Sequence, residues 1–214
     1  MYTRRHFVKR FIGGCASALV LSSPAARVVR AQGRRILPKG TRATTLFQEN
    51  PATLDIRNLE VTPTRLFGAM GQTMHTVDLA TWRLRVLGEV DRPLALSYED
   101  ITALPAIERR VLLVCPDTFS FVADWKGVSL SKILEAAQAP SGVTQVEIRS
   151  ADDLIERQEV FAIKDVRQEK VFLAYAVNGE PLPEAHGFPL RVVAEDRYGN
   201  HWVKYVVSVK ALTA

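Results

Sequence analysis

The sequence predicts an α+β domain of mixed β-sheets and short helices, and three observations predict it. Short apolar runs of strand character recur along the chain, for example Val111–Cys115, Val171–Val177 and Trp202–Val209. Helix-like segments are few and short. The two kinds of segment follow no β-α-β rhythm, and neither common glycine-rich phosphate loop occurs, which excludes a doubly wound nucleotide-binding fold.

Residues 1–31 read as a leader rather than as structure. Thr3-Arg4-Arg5-His6-Phe7-Val8-Lys9 matches the twin-arginine export signal, a modestly apolar stretch follows, and Val29-Arg30-Ala31 offers small residues for cleavage. The stretch is too short and too glycine-rich to span a bilayer, so no stable membrane span is expected after leader cleavage. An Ile12-Gly13-Gly14-Cys15 lipoprotein box lacks an adequate apolar segment before it. The leader holds six basic residues and no acid, so the formal charge of +5 falls to about −1 without it. The basic character is therefore mostly leader, and it gives no reason to expect nucleic-acid binding.

The following residues, 32–62, are polar and weakly periodic, with Pro38, Gly40, Asn50 and Pro51. They predict an extended arm, ordered where Leu46, Phe47, Leu54 and Ile56 find pockets. Residues 63–214 form the single expected domain. Trp82-Arg83-Leu84-Arg85-Val86 alternates as a half-buried strand, and Ser97 with Glu99 and Asp100 marks the cap of a short helix ending near Leu104-Pro105. Val111–Cys115 is apolar on both faces, which reads as a central strand. Ser131–Ala137 reads as a helix stopped by Pro140 and Gly142, and Val143–Arg149 as another strand. Val171–Val177 ends in Asn178-Gly179, a strong hairpin signal. Phe188–Val193 and Trp202–Val209 complete the strands.

Cys115 stands where Val111–Val114 breaks at Pro116, which has no N–H to give a ladder. It is the only cysteine outside the leader, so an exported chain has no internal disulfide. A lone thiol in an oxidising compartment is buried and inert, ligated, or paired with another molecule. A thiol nucleophile would need a basic neighbour to lower its pKa, and Pro116-Asp117 supplies an acid instead.

Three segments resemble the sulfite oxidase-type molybdopterin domain, which includes sulfite oxidases and periplasmic methionine-sulfoxide reductase catalytic subunits. They are Leu113-Val114-Cys115 with Ala123-Asp124-Trp125-Lys126-Gly127-Val128-Ser129-Leu130, then residues 178–193 with Asn178-Gly179 and His186-Gly187, then Arg197–Tyr205 with Tyr198-Gly199 and Val203-Lys204. Order and spacing agree over roughly residues 50 to 212. The resemblance implies a molybdenum–molybdopterin cofactor and Cys115 as the metal's protein ligand. A thiolate is the residue type that a soft metal site takes, and ligation would protect the thiol from oxidation.

It further implies that Asn178, His186, Arg191 and Lys204 bind the pterin and its phosphate, and that His201, where relatives carry a basic residue, acts near the metal on a substrate oxyanion or proton. Arginine suits phosphate because its planar fork meets two oxygens at once. Each has a plain structural alternative: a hairpin turn for Asn178, solvated guanidinium for Arg191, a surface loop for His186. After Thr62-Pro63, relatives read two aromatics, a spacer, then Arg-Asn-His. Here Phe67-Gly68-Ala69-Met70-Gly71-Gln72 stands instead. That loss of fixed positive charge argues against sulfite, a dianion. No Cys-x-x-Cys-His haem site occurs, and the length leaves no room for an added dimerisation or haem domain.

The expectation is an exported oxidoreductase subunit performing oxygen-atom transfer, S- or N-oxide reduction ahead of sulfite oxidation, with a small-molecule oxo-donor or acceptor as substrate. Electrons would be exchanged with a separate haem or quinone-linked partner. The alternative is an exported binding module that keeps the fold without a functional cofactor.

Overall fold

A computed structural model describes residues 33–151 and 158–213; the leader predicted at 1–31 lies outside them. In chain order the strands are β1 (Arg35–Ile36), β2 (Leu54–Asp55), β3 (Leu84–Gly88), β4 (Leu94–Leu96), β5 (Ala106–Cys115), β6 (Phe119–Ser129), β7 (Gln145–Ser150), β8 (Gln158–Ala162), β9 (Val171–Val177), β10 (Glu180–Pro181), β11 (Arg191–Ala194) and β12 (Val206–Leu212). The helices are α1 (Tyr98–Ala103), α2 (Leu130–Ala136) and α3 (Ile163–Arg167), joined by short 3-10 turns. No helix among the described residues is long and apolar enough to cross a membrane.

Two larger sheets carry the domain. One is antiparallel, in the order β10-β9-β6-β5 with β11 also on β9. The other runs β4-β3-β12-β7-β8 and is mixed, because β12 pairs parallel with β3 and antiparallel with β7. Leu84, Val86, Val146, Ile148 and Val209 from the mixed sheet share one core with Val111, Leu113, Phe121, Leu173 and Val192 from the antiparallel one. β3 keeps its expected alternation, with Leu84 and Val86 buried and Arg85 exposed. α1 carries the predicted cap: Ser97 accepts from the Asp100 N–H, and the Asp100 carboxylate accepts in return from the Ser97 N–H.

β5 departs from its expected position. Among the described residues it is an edge strand, paired only with β6, and not a central one. Its two apolar faces have a different cause. Val111 and Leu113 point into the main core, while Leu112 and Val114 lie under Leu37, Ala43, Leu46, Leu54 and Leu59 of the arm. The arm is thus a cover, folded on itself by β1–β2 pairing and pinned to the domain by Arg34, which donates to Asp196 at 2.7 Å. A strand covered on both faces reads as continuously apolar whether or not both of its edges are paired.

Other boundaries shift for local reasons. β6 is not among the expected strands: the core covers Phe121, Ala123 and Trp125 and the arm covers Ser120 and Val122, so burial there has no period of two, and the register slips further on, between Lys126 and Gly127. β11 starts three residues later than Phe188, since Pro189 offers no N–H to a ladder. β12 starts at Val206 rather than Trp202, because Tyr205 adopts φ 53° and interrupts extended backbone. β9 spans Val171–Val177 as predicted, and Asn178-Gly179 forms the two-residue turn to β10 with φ 52° and 82°.

Gly127 sits in the β6 bulge where a Cβ would come within 2.0 Å of the Leu173 carbonyl oxygen. Gly127→Ala is expected to destabilise the domain by about 2 kcal/mol or more, read as a lower urea midpoint at constant m-value. An unchanged midpoint would mean that β6 and β9 separate there without cost.

Candidate functional site

The turn from β5 to β6 fixes where Cys115 stands. Cys115 pairs with Phe119 across the hairpin, the Thr118 N–H donates to the Cys115 carbonyl at 3.1 Å, and Asp117 takes a left-handed φ of 58°. The arm reaches this turn too, with the Phe47 carbonyl accepting from the Asp117 N–H. The thiol ends at the wall of a cavity of about 300 Å³. The other walls come from 68–72, Leu113, Phe119, Ala185–His186, Arg191, Gly199, Asn200 and Trp202–Lys204. Four sequence-predicted residues, Cys115, His186, Arg191 and Lys204, therefore share one space.

Burial pushes the Cys115 thiol pKa up, and a hydrogen bond with the Thr118 side chain opposes this only in part. The shift disfavours the thiolate, which argues against an activated nucleophile. Its S–H donates to Met70 Sδ at 3.2 Å.

Arg191 is only 4% exposed, so it is not the solvated strand residue that its apolar neighbours would allow. Its guanidinium lies 5.1 Å from the Trp125 ring and 5.5 Å from the Trp202 ring, and it donates to the His186 carbonyl at 3.1 Å. Lys204, 6% exposed, donates to the carbonyls of Met70 at 2.8 Å, Gln72, and Ala185 at 3.4 Å. Gly187, with φ 103°, gives up its Cβ not to a ligand but to Lys204, whose own Cβ would lie 2.8 Å away. His186 is 8% exposed, with its ring edge-on to Phe67 and Phe121.

Two predicted residues lie elsewhere. Asn178 does not line the cavity: its side chain accepts from the Asp124 N–H at 3.0 Å and donates to the Thr62 carbonyl and the Thr64 hydroxyl. It ties the β9–β10 turn to the start of the domain. His201 sits in the 3-10 turn Gly199–His201 with Nδ1 3.2 Å from a Glu159 oxygen, while its neighbours Asn200 and Trp202 face the cavity. Sequence reading missed Met70, Phe119 and Trp202 as wall residues. Met70 was visible only as part of the stretch that replaces Arg-Asn-His.

The donor set fits a phosphate-bearing soft-metal cofactor. A sulfur stands on one wall, two buried cations and a buried imidazole on the others, and the remaining surface is largely apolar. Cys115 would hold the metal, and Arg191 and Lys204 would hold phosphate.

Burial, then the charges of Arg191 and Lys204, pull the His186 pKa from 6.5 down to about 4. The folded value lies below the unfolded one, so between these limits the unfolded chain binds the extra proton. Stability on this account is complete above pH 6.5 and falls as pH drops towards 4, by up to about 3 kcal/mol. His186→Leu is expected to flatten that part of the urea stability–pH curve in cofactor-free protein; equal slopes would place the imidazole in water.

Comparisons with known proteins identify the family. The chain is 34% identical over 129 residues to the uncharacterized oxidoreductase YuiH of Bacillus subtilis (strain 168), an overlap of 60% of this chain and 64% of that protein. The sulfane dehydrogenase SoxCD from Paracoccus pantotrophus has a similar fold, with a TM-score of 0.65 and 20% identity over 95% of this chain and 56% of that one. Residues 70–214 match the family described as the oxidoreductase molybdopterin binding domain, a span that includes Cys115, His186, Arg191 and Lys204. The chain belongs to that family of molybdopterin-binding oxidoreductase domains.

Proposed function

We propose that this chain is an exported molybdenum–molybdopterin oxidoreductase subunit that carries out oxygen-atom transfer, reducing a neutral S- or N-oxide in preference to oxidising sulfite. The observation that carries it is the convergence of Cys115, Arg191, Lys204 and His186 on one cavity. When bound, the cofactor supplies two-electron oxygen-atom exchange with substrate.

The chain's own residues do the rest. Cys115 loses its proton on ligation, and its place on the β5–β6 turn fixes the sulfur at the cavity wall. Arg191, held over two tryptophan rings, presents its charge with little side-chain freedom left to lose, and Lys204 adds a second positive charge for phosphate. Neutral His186 can donate or accept one hydrogen bond without adding charge. Leu113, Phe119, Trp202 and Val203 exclude water and favour a substrate of low charge.

The preference against sulfite rests on 67–72, which offers the cavity no arginine or histidine. The leader-like residues 1–31 support twin-arginine export to the periplasm. The absence of a Cys-x-x-Cys-His motif from the sequence supports a separate haem or quinone-linked electron partner.

A second reading, an exported module without catalysis, draws on Met70, which lies against the very sulfur the metal needs. One experiment separates the two. Full chain made in a pterin-competent host is expected to carry about one molybdenum per chain. Cys115→Ser is expected to lose metal and S-oxide reductase activity by at least about tenfold, with stability within about 0.5 kcal/mol of wild type. Metal-free wild type would favour the module, and full metal in the variant would remove the ligand assignment.

A further inference from the structure

The segment 68–72 is more than a wall. Its N-terminal end is anchored by Phe67, whose ring stacks on Phe121 at a centroid distance of 4.0 Å. Gly68 follows flat against the Phe119 ring, where a Cβ would lie 2.2 Å from Cγ. Gly71, with φ 71°, turns the chain. The far end is clamped at Gln72, whose carbonyl accepts from the Lys204 ammonium and from the Tyr205 hydroxyl at 3.0 Å.

Between those anchors the segment engages two groups at once. Met70 Sδ lies 3.2 Å from Cys115 Sγ, although Met70 as a residue is 54% exposed. The Met70 carbonyl, 2.8 Å away, accepts from Lys204. An ammonium has three protons, and the carbonyls of Met70, Gln72 and Ala185 lie within reach of them. A phosphate oxygen must therefore displace a carbonyl to reach Lys204, and it competes well because an anion makes the stronger bond. Two of the three carbonyls, those of Met70 and Gln72, belong to the segment whose Met70 thioether lies on the sulfur.

We propose that 68–72 is a strap coupling anion binding at Lys204 to exposure of Cys115. A phosphate-bearing group that draws Lys204 away from the Met70 and Gln72 carbonyls also lifts the Met70 thioether from Sγ. The occupant's identity rests on the proposed function, but the strap can be tested without molybdenum. While the strap is down, Met70 lies against a thiol that is otherwise partly open to the cavity, and this contact limits its access to oxidants and other metals.

The test uses full chain made in a host without molybdopterin, with iodoacetamide labelling of Cys115 followed by mass spectrometry of its peptide at mildly alkaline pH. Labelling of a covered thiol proceeds through the open fraction, so uncovering it raises the rate. Met70→Ala is expected to label about tenfold faster than wild type, and Met70→Leu, which keeps the bulk, within about twofold of it. Inorganic pyrophosphate at millimolar level is expected to speed wild-type labelling several-fold and to leave Met70→Ala unchanged.

Equal rates for wild type and Met70→Ala, or Met70→Leu labelling as fast as Met70→Ala, would overturn the covering role. A wild-type rate indifferent to pyrophosphate would overturn the coupling. Matching thermal transitions of the three proteins exclude unfolding as the cause of fast labelling. Molybdenum content, measured separately in pterin-competent cells, reports on the proposed function whatever the strap does.

Discussion

The site depends on β5 being held between two apolar layers. Its edge carries no partner strand beyond β6, so backbone pairing alone would leave Cys115 at the end of a mobile hairpin arm. Leu113 and Val111 fix one face in the main core, and the arm residues Leu46, Leu54 and Leu59 close over Leu112 and Val114 on the other. That double burial gives the sulfur a fixed position opposite residues more than seventy positions away in sequence. Even the turn beyond the sulfur is tied to the arm, through the Asp117 N–H and the Phe47 carbonyl.

Opposite Cys115, positive charge is kept in a place that would ordinarily reject it. Burying a guanidinium is costly, and aromatic faces with well-placed carbonyls offset part of that cost. Arg191 has the Trp125 and Trp202 rings and the His186 carbonyl, while Lys204 has a cradle of backbone carbonyls. Burial, and after it the same charges, hold the His186 pKa low. An anion arriving there meets two positive charges already gathered at one cavity, and to reach Lys204 it displaces a backbone carbonyl. The thiol on the opposite wall is held in its protonated form by burial, so the two halves of the cavity are preset for different atoms of one ligand.

Much of this was legible beforehand, and the exceptions have physical causes. The hydrophobic periods located β3, β9 and α2 because each pattern matched its own secondary structure. The Ser97–Asp100 capping box and the Asn178-Gly179 turn are local chemistry, readable from a few residues. The pattern missed β6 because its first half is covered on both faces, by the core and by the arm. It misplaced β5 in the sheet because double coverage and central pairing give the same apolar run. Asn178 illustrates the limit for sites: an amide at a positive-φ turn looks identical in sequence whether it faces a ligand or, as here, Thr62, Thr64 and Asp124.

The sequence by itself determined the class of fold, the lone thiol at a strand end, and the chemical types able to meet a metal and a phosphate. The fold class and the strand end follow from period and local turn chemistry, which act over a few residues, and the candidate ligands from the resemblance of three segments to a known family. Only the tertiary structure decided that Cys115, His186, Arg191 and Lys204 share a cavity while Asn178 and His201 do not line it. It also decided that Met70, unremarkable in the sequence, lies on the sulfur. Such placements depend on which distant segments pack together, and contacts between distant segments leave no periodic trace in the chain.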